Sequence, residues 1–155
     1  MISLAVCLVA AALEGLAAGP GVRARLTSLR QPRWAPSFGV WVVIGGLYYI
    51  LCFVLLFRLI GLAPSPLRPI AFVLLGVLML VNAGFNLVFF RRGALRASFL
   101  LFLPYSLVAL ALLGILLRLD RVTAAVFGLY LLYLVYATVW GYQTWQLNRT
   151  DLRKG

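Results

Sequence analysis

The chain has no histidine, and its only acids are Glu14, Asp120 and Asp151, set against fourteen basic residues. Without histidine there is no Ser-His-Asp triad and no zinc site of the usual Cys/His kind. Its two cysteines, Cys7 and Cys52, lie inside apolar runs and give no disulfide framework. No glycine-rich nucleotide loop, no chain of intramembrane acids and no internal repeat is present, so active transport is not indicated. No catalytic residue and no metal ligand set can be nominated.

What the chain has in excess is apolar sequence. Hydrophobic residues make up 65% of its 155 residues, and the mean hydropathy is +1.06. Both lie far outside the range of soluble domains, so the chain reads as an integral membrane protein. The net charge of +11 would suggest nucleic acid in a soluble protein. Here the arginines fall between apolar runs and form no basic face, which excludes nucleic acid as a partner and leaves the lipid bilayer.

The runs predict an all-α, five-transmembrane-helix bundle in one membrane domain, 1–155. Helices are expected over 2–19, 38–58, 69–90, 95–118 and 122–147, each of the order needed to cross a hydrocarbon core of about 30 Å. Loop 20–37 has room for a short helix over 22–29. Pro104 should kink the fourth segment. The first segment lacks a positive n-region and is read as a retained helix rather than a cleaved signal. Five crossings put the termini on opposite sides. Arg23, Arg25, Arg30, Arg33, Arg91, Arg92, Arg96, Arg149, Arg153 and Lys154 fall on one side, and Arg58, Arg68, Arg118 and Arg121 on the other. That imbalance predicts an outside N-terminus and a cytoplasmic C-terminus, in a bacterial cell membrane if the source is prokaryotic.

Glu14 is the one charge within the first segment. A carboxylate there costs about 2.5 to 3.5 kcal/mol on insertion scales, so it should reach the interface from near the helix end or else face the bundle. The first reading is preferred.

Two features nominate a site. Pro32 and Pro36 bracket Trp34 in the loop before the second segment, so Gln31 to Ser37 should be extended or turned. Trp34 then serves as an interfacial anchor, as the lid of a pocket, or as both, with Arg30 and Arg33 drawing in anions. Tyr48, Tyr49, Tyr105, Tyr133 and Tyr136 fall near the middle of their segments, where a phenol in lipid would lose its hydrogen bond, so they should point inward. Tyr130, Tyr133, Tyr136 and Trp140 share an arc of about 120° on one helix, and Asn82 and Asn86 project with Phe85 and Phe89 on another. The bland reading is helix-to-helix glue, with Gly15, Gly19, Gly45, Gly76 and Gly84 serving close contact within the bundle or in a homodimer. Taken together, with Gly45 and Gly46 at the same depth, these residues suggest a cavity. Its lining suits a flat, largely apolar ligand with carboxylates at one end.

The run Leu29, Pro32, Trp34, Pro36, the pair Leu47 with Tyr48 or Tyr49, Asn82 leading to Phe89-Phe90 and a basic turn, Tyr130, and the closing Leu147-Asn148 resemble the tryptophan-rich sensory protein and translocator protein family (TspO/MBR, the peripheral benzodiazepine receptor family). The resemblance implies five helices and binding of porphyrins, sterols and synthetic ligands, with no tightly bound cofactor. There are departures. Family tryptophans fall on Gly45, Phe85 and Tyr133, a family asparagine on Gly141, and the second of a proline pair on Ser37. The sterol-recognition spacing is missed by one residue between Tyr142 and Arg149.

The expected function is binding of a porphyrin-like or other hydrophobic molecule, with a sterol-like ligand as a lesser alternative, for sensing, transport or scavenging. The residues expected to hold it are Pro32, Trp34, Pro36, Tyr48, Tyr49, Asn82, Phe85, Phe89, Tyr130, Tyr133 and Trp140, with Arg30 and Arg33 steering anions. The alternatives are a closed, non-catalytic membrane subunit and a light-dependent porphyrin-degrading enzyme. The enzyme reading is disfavoured by Gly45 and Tyr133, which replace pocket tryptophans on which that chemistry is thought to depend.

Overall fold

In the computed structural model, which describes residues Met1 to Arg149, every regular element is helical. The helices are α1 (Ile2–Ala18), α2 (Val22–Ser28), α3 (Phe38–Gly61), α4 (Leu67–Asn86), α5 (Leu95–Leu100), α6 (Phe102–Leu119) and α7 (Arg121–Asn148), and α4 runs on through a π turn, Leu87–Arg91. No strand occurs among the described residues. Arg153 and Lys154, used above to orient the chain, lie outside them.

Four stretches are long and apolar enough to cross a membrane by themselves: Phe38–Gly61, Leu67–Arg91, Leu95–Leu119 and Arg121–Asn148. At 17 residues, α1 qualifies only when joined to α2 across a 54° bend.

Local chemistry explains the ends and breaks. Pro66 precedes α4 and Pro69 sits in its first turn, where a missing N–H costs nothing because it would have no intrahelical partner. Pro104 cannot donate to the carbonyl of Leu100, and the helix breaks one residue later, at Leu101, dividing α5 from α6. α3 extends past the expected end at 58 to Gly61. Arg58 is accommodated there because its Nε donates to Asp120 Oδ2 at 2.6 Å and to Thr123 Oγ1 at 2.8 Å. The other carboxylate oxygen, Asp120 Oδ1, accepts from Val122 N at 3.1 Å and caps α7.

α4 packs on α1, α3 and α6, while α7 closes the bundle against α3, α5 and α6. The interior is divided in two. One half is a close-packed core built on Leu55, Leu59, Leu75, Leu78, Leu112, Leu116 and Phe127, all nearly inaccessible. The other, next to α2 and its loop, is aromatic: Leu26, Phe89, Leu95 and Trp140 with Trp41, Phe85, Phe90 and Trp145 around them. Lipid tails are as apolar as leucine, so tight packing and interhelical hydrogen bonds, rather than a hydrophobic drive, hold these helices to one another.

The loop side is tied down by polar contacts. Asn148 Nδ2 donates to Arg30 O at 2.8 Å and to Thr144 O at 2.7 Å, while its Oδ1 accepts from Arg30 N at 3.0 Å. Gln31 Nε2 donates to Leu26 O at 2.7 Å. Arg25 donates to Gly93 O at 3.2 Å, joining α2 to the turn between α4 and α5. Gly93 has φ of 65°, a region that disfavours side chains.

Candidate functional site

Between the close-packed half and the aromatic half lie two adjoining cavities. The larger, of about 270 Å³, is lined by Glu14, residues of α2 and α3, and Asn82, Phe85, Asn86, Phe90, Tyr130, Tyr133 and Trp140. The smaller, of about 80 Å³, shares Trp41, Asn82, Phe85, Tyr130, Tyr133 and Trp140 and adds Phe102 and Tyr105. The larger reaches the loop side through Val22, Leu26 and Phe38.

Helix periodicity accounts for the walls. On α3, Trp41, Gly45, Tyr48 and Cys52 fall four, three and four residues apart, which keeps them on one face. Cys52 is buried in the core and the other three line the larger cavity. α7 presents Tyr130, Tyr133, Ala137 and Trp140 in the same way. Gly45 leaves open space, since a Cβ built there meets nothing within 4 Å.

The polar groups form a layer. Glu14 accepts from three donors: Asn82 Nδ2 at 2.7 Å, Asn86 Nδ2 at 2.8 Å, and the Tyr49 hydroxyl. The expectation that Glu14 reaches the interface is therefore corrected, and the reason is rotation rather than depth. Ser3 and Cys7 are the buried residues of α1, and Glu14 follows Cys7 by seven, so the same face turns inward. Deeper in the bundle, the Tyr105 and Tyr130 hydroxyls pair with each other. Among the residues lining the cavities, the indole nitrogens of Trp41 and Trp140 are shut off from solvent and have no hydrogen-bond partner among the described residues. The two indoles pack together with ring centroids 4.6 Å apart.

Of the residues nominated from sequence, Tyr48, Asn82, Phe85, Tyr130, Tyr133 and Trp140 come together on these walls. Phe89 stands behind them, stacked on Phe85 at 5.4 Å and against Trp140 at 5.4 Å. Tyr49 reaches the site only through Glu14.

The loop residues Pro32, Trp34, Pro36, Arg30 and Arg33 line neither cavity. Ala35 N donates to Pro32 O at 2.9 Å, closing a turn that carries Arg33 and Trp34 outward. Trp34 is 42% exposed, with its ring edge against Tyr136 at 5.1 Å. The Tyr136 hydroxyl makes a long hydrogen bond of 3.5 Å to the Trp34 carbonyl.

Trp41 and Glu14 were missed as site residues. The spacing from Trp41 to Gly45, Tyr48 and Cys52 on α3, and from Ser3 to Cys7 and Glu14 on α1, is the signal that finds them.

An all-α protein with several helices long and apolar enough to cross a membrane is a multi-pass integral membrane protein. The family model for the TspO/MBR family matches residues 3–146. The chain belongs to the TspO/MBR family. No match is found among curated proteins.

Proposed function

We propose that this protein binds a hydrophobic, ring-bearing small molecule in the cavity between α3, α4 and α7, for sensing, transport or scavenging. The observation that carries this reading is a cavity of about 270 Å³ whose walls are largely aromatic, with Trp41, Tyr48, Phe85, Tyr130, Tyr133 and Trp140 gathered around the Asn82 and Asn86 amides. The same wall offers flat faces for stacking. A cavity of about 270 Å³ at this level, lined by these rings, supports a ligand site over a closed bundle serving only as a subunit.

The proposed ligand class is a porphyrin or similar tetrapyrrole. Its ring would enter from the loop side past Val22, Leu26 and Phe38, and its carboxylates would stay outside near Arg30 and Arg33. In the proposed topology α1 and α2 together make a fifth crossing. The arginine-rich loop and the C-terminus then face the cytoplasm of a bacterial cell, with a homodimer as the proposed assembly.

The test is titration of the purified protein with protoporphyrin while following tryptophan emission. Saturable quenching is expected, with affinity lowered at least about tenfold in Trp41→Ala and less in Trp34→Ala. Unsaturable quenching, identical in all three proteins, would refute the site.

A further inference from the structure

The sequence places no basic residue among those lining the larger cavity, yet Glu14 is one of them. Its side chain is positioned on both oxygens by donors that are themselves neutral, namely two amides and a phenol. A carboxylate has room for about four hydrogen bonds, so three donors leave one acceptor direction open. At a site set among apolar helices, a negative charge with no counter-charge among the described residues lining the cavity attracts a cation strongly, because little water screens it. The rings of Trp41, Tyr48, Phe85 and Trp140 line the same space. Aromatic faces around an anion are the surroundings that recognise an ammonium group, through attraction to the ring faces as well as to the charge.

We propose that Glu14 is the polar anchor of this cavity and selects ligands that present a protonated amine on an aromatic body. This rests on the reading of the cavity as a ligand site, and it names the ligand's polar group. The ammonium sits against Glu14, held in place by Asn82, Asn86 and Tyr49, and the aromatic body lies toward Trp41 and Trp140. A ligand carboxylate is repelled from this end. A ligand carrying acids would therefore keep them on the loop side.

The experiment uses one ring with three end groups: 1-naphthylmethylamine, 1-naphthalenemethanol and 1-naphthoate. Each is titrated against the full chain in phosphatidylcholine nanodiscs, with tryptophan emission as readout and empty nanodiscs to subtract partitioning. The amine is expected to bind at least about tenfold more tightly than the alcohol, the scale of one hydrogen bond to a charged group, and the naphthoate more weakly than either. In Glu14→Gln the amine should fall to the level of the alcohol while alcohol binding persists. Alcohol binding equal to amine binding in the unaltered chain would overturn the proposal while leaving the ligand site standing. An amine preference that survives in Glu14→Gln would overturn the assignment to Glu14. Failure of all three probes to saturate would contradict the ligand site itself. The three-probe series on the unaltered chain decides the matter even if the variant fails to insert.

Discussion

Asn148, the last residue of α7, pairs with the main chain of Arg30 as a neighbouring strand would, its amide oxygen accepting from Arg30 N and its amide nitrogen donating to Arg30 O. The amide is buried, and it fastens the loop that carries Pro32, Trp34 and Pro36 to the far end of the chain. Asn148→Ala should destabilise the protein by about 1–2 kcal/mol, because two part-buried hydrogen bonds from the Asn148 amide to the Arg30 main chain are lost. Limited trypsin digestion checks this, with faster cleavage after Arg30 and Arg33 expected alongside a lower Tm. Unchanged cleavage would show that the loop is held by other contacts.

A second tether can be tested at Gly93. Its positive φ strains any side chain by about 1–2 kcal/mol. A Cβ there would also stand 2.6 Å from the Arg25 guanidinium, which now bonds to the Gly93 carbonyl. Gly93→Ala should therefore lower the Tm by several degrees and release α2 from the α4–α5 turn. Gly15→Ala, where a Cβ meets nothing within 4 Å, is the control and should leave the Tm nearly unchanged.

The Arg58–Asp120 contact gives a pH dependence of known sign. The hydrogen bond from the Arg58 guanidinium, joined by that from Thr123, holds the Asp120 carboxyl well below the usual carboxylate range. A group depressed by folding contributes stability that is complete above its unfolded value, near pH 4, and is lost as pH falls toward the folded value. Thermal unfolding in detergent should therefore show a Tm that declines below about pH 4, more steeply than in Asp120→Asn. Equal slopes in the two proteins would remove this pair from the account.

Much of this architecture is legible in the sequence because lipid imposes run length. Apolar stretches of the expected size mark out the helices, and Pro104 marks the break at Leu101. The inward faces of α4 and α7 follow from the spacing of Asn82 with Phe85 and of Tyr130 with Tyr133 and Trp140. Two kinds of information are not written so plainly. Glu14 lies near enough to a helix end to suggest the interface, and only its register with Ser3 and Cys7 turns it inward. Trp34, with prolines on either side, looks like a lid, but the turn closed by Pro32 and Ala35 sends it onto Tyr136. A loop's direction depends on contacts made far away in sequence, here those of Asn148.

The most direct test of the cavity as the ligand site is at Gly45, which lines the larger cavity and where a Cβ meets nothing within 4 Å. Phenylalanine there should fill the void without disturbing the helix. Protoporphyrin titration, read by tryptophan emission, is expected to show affinity at least about tenfold weaker in Gly45→Phe than in the unaltered chain, with the Tm maintained or raised by the added packing. Unaltered affinity in a folded Gly45→Phe protein would place the ligand elsewhere and contradict the account.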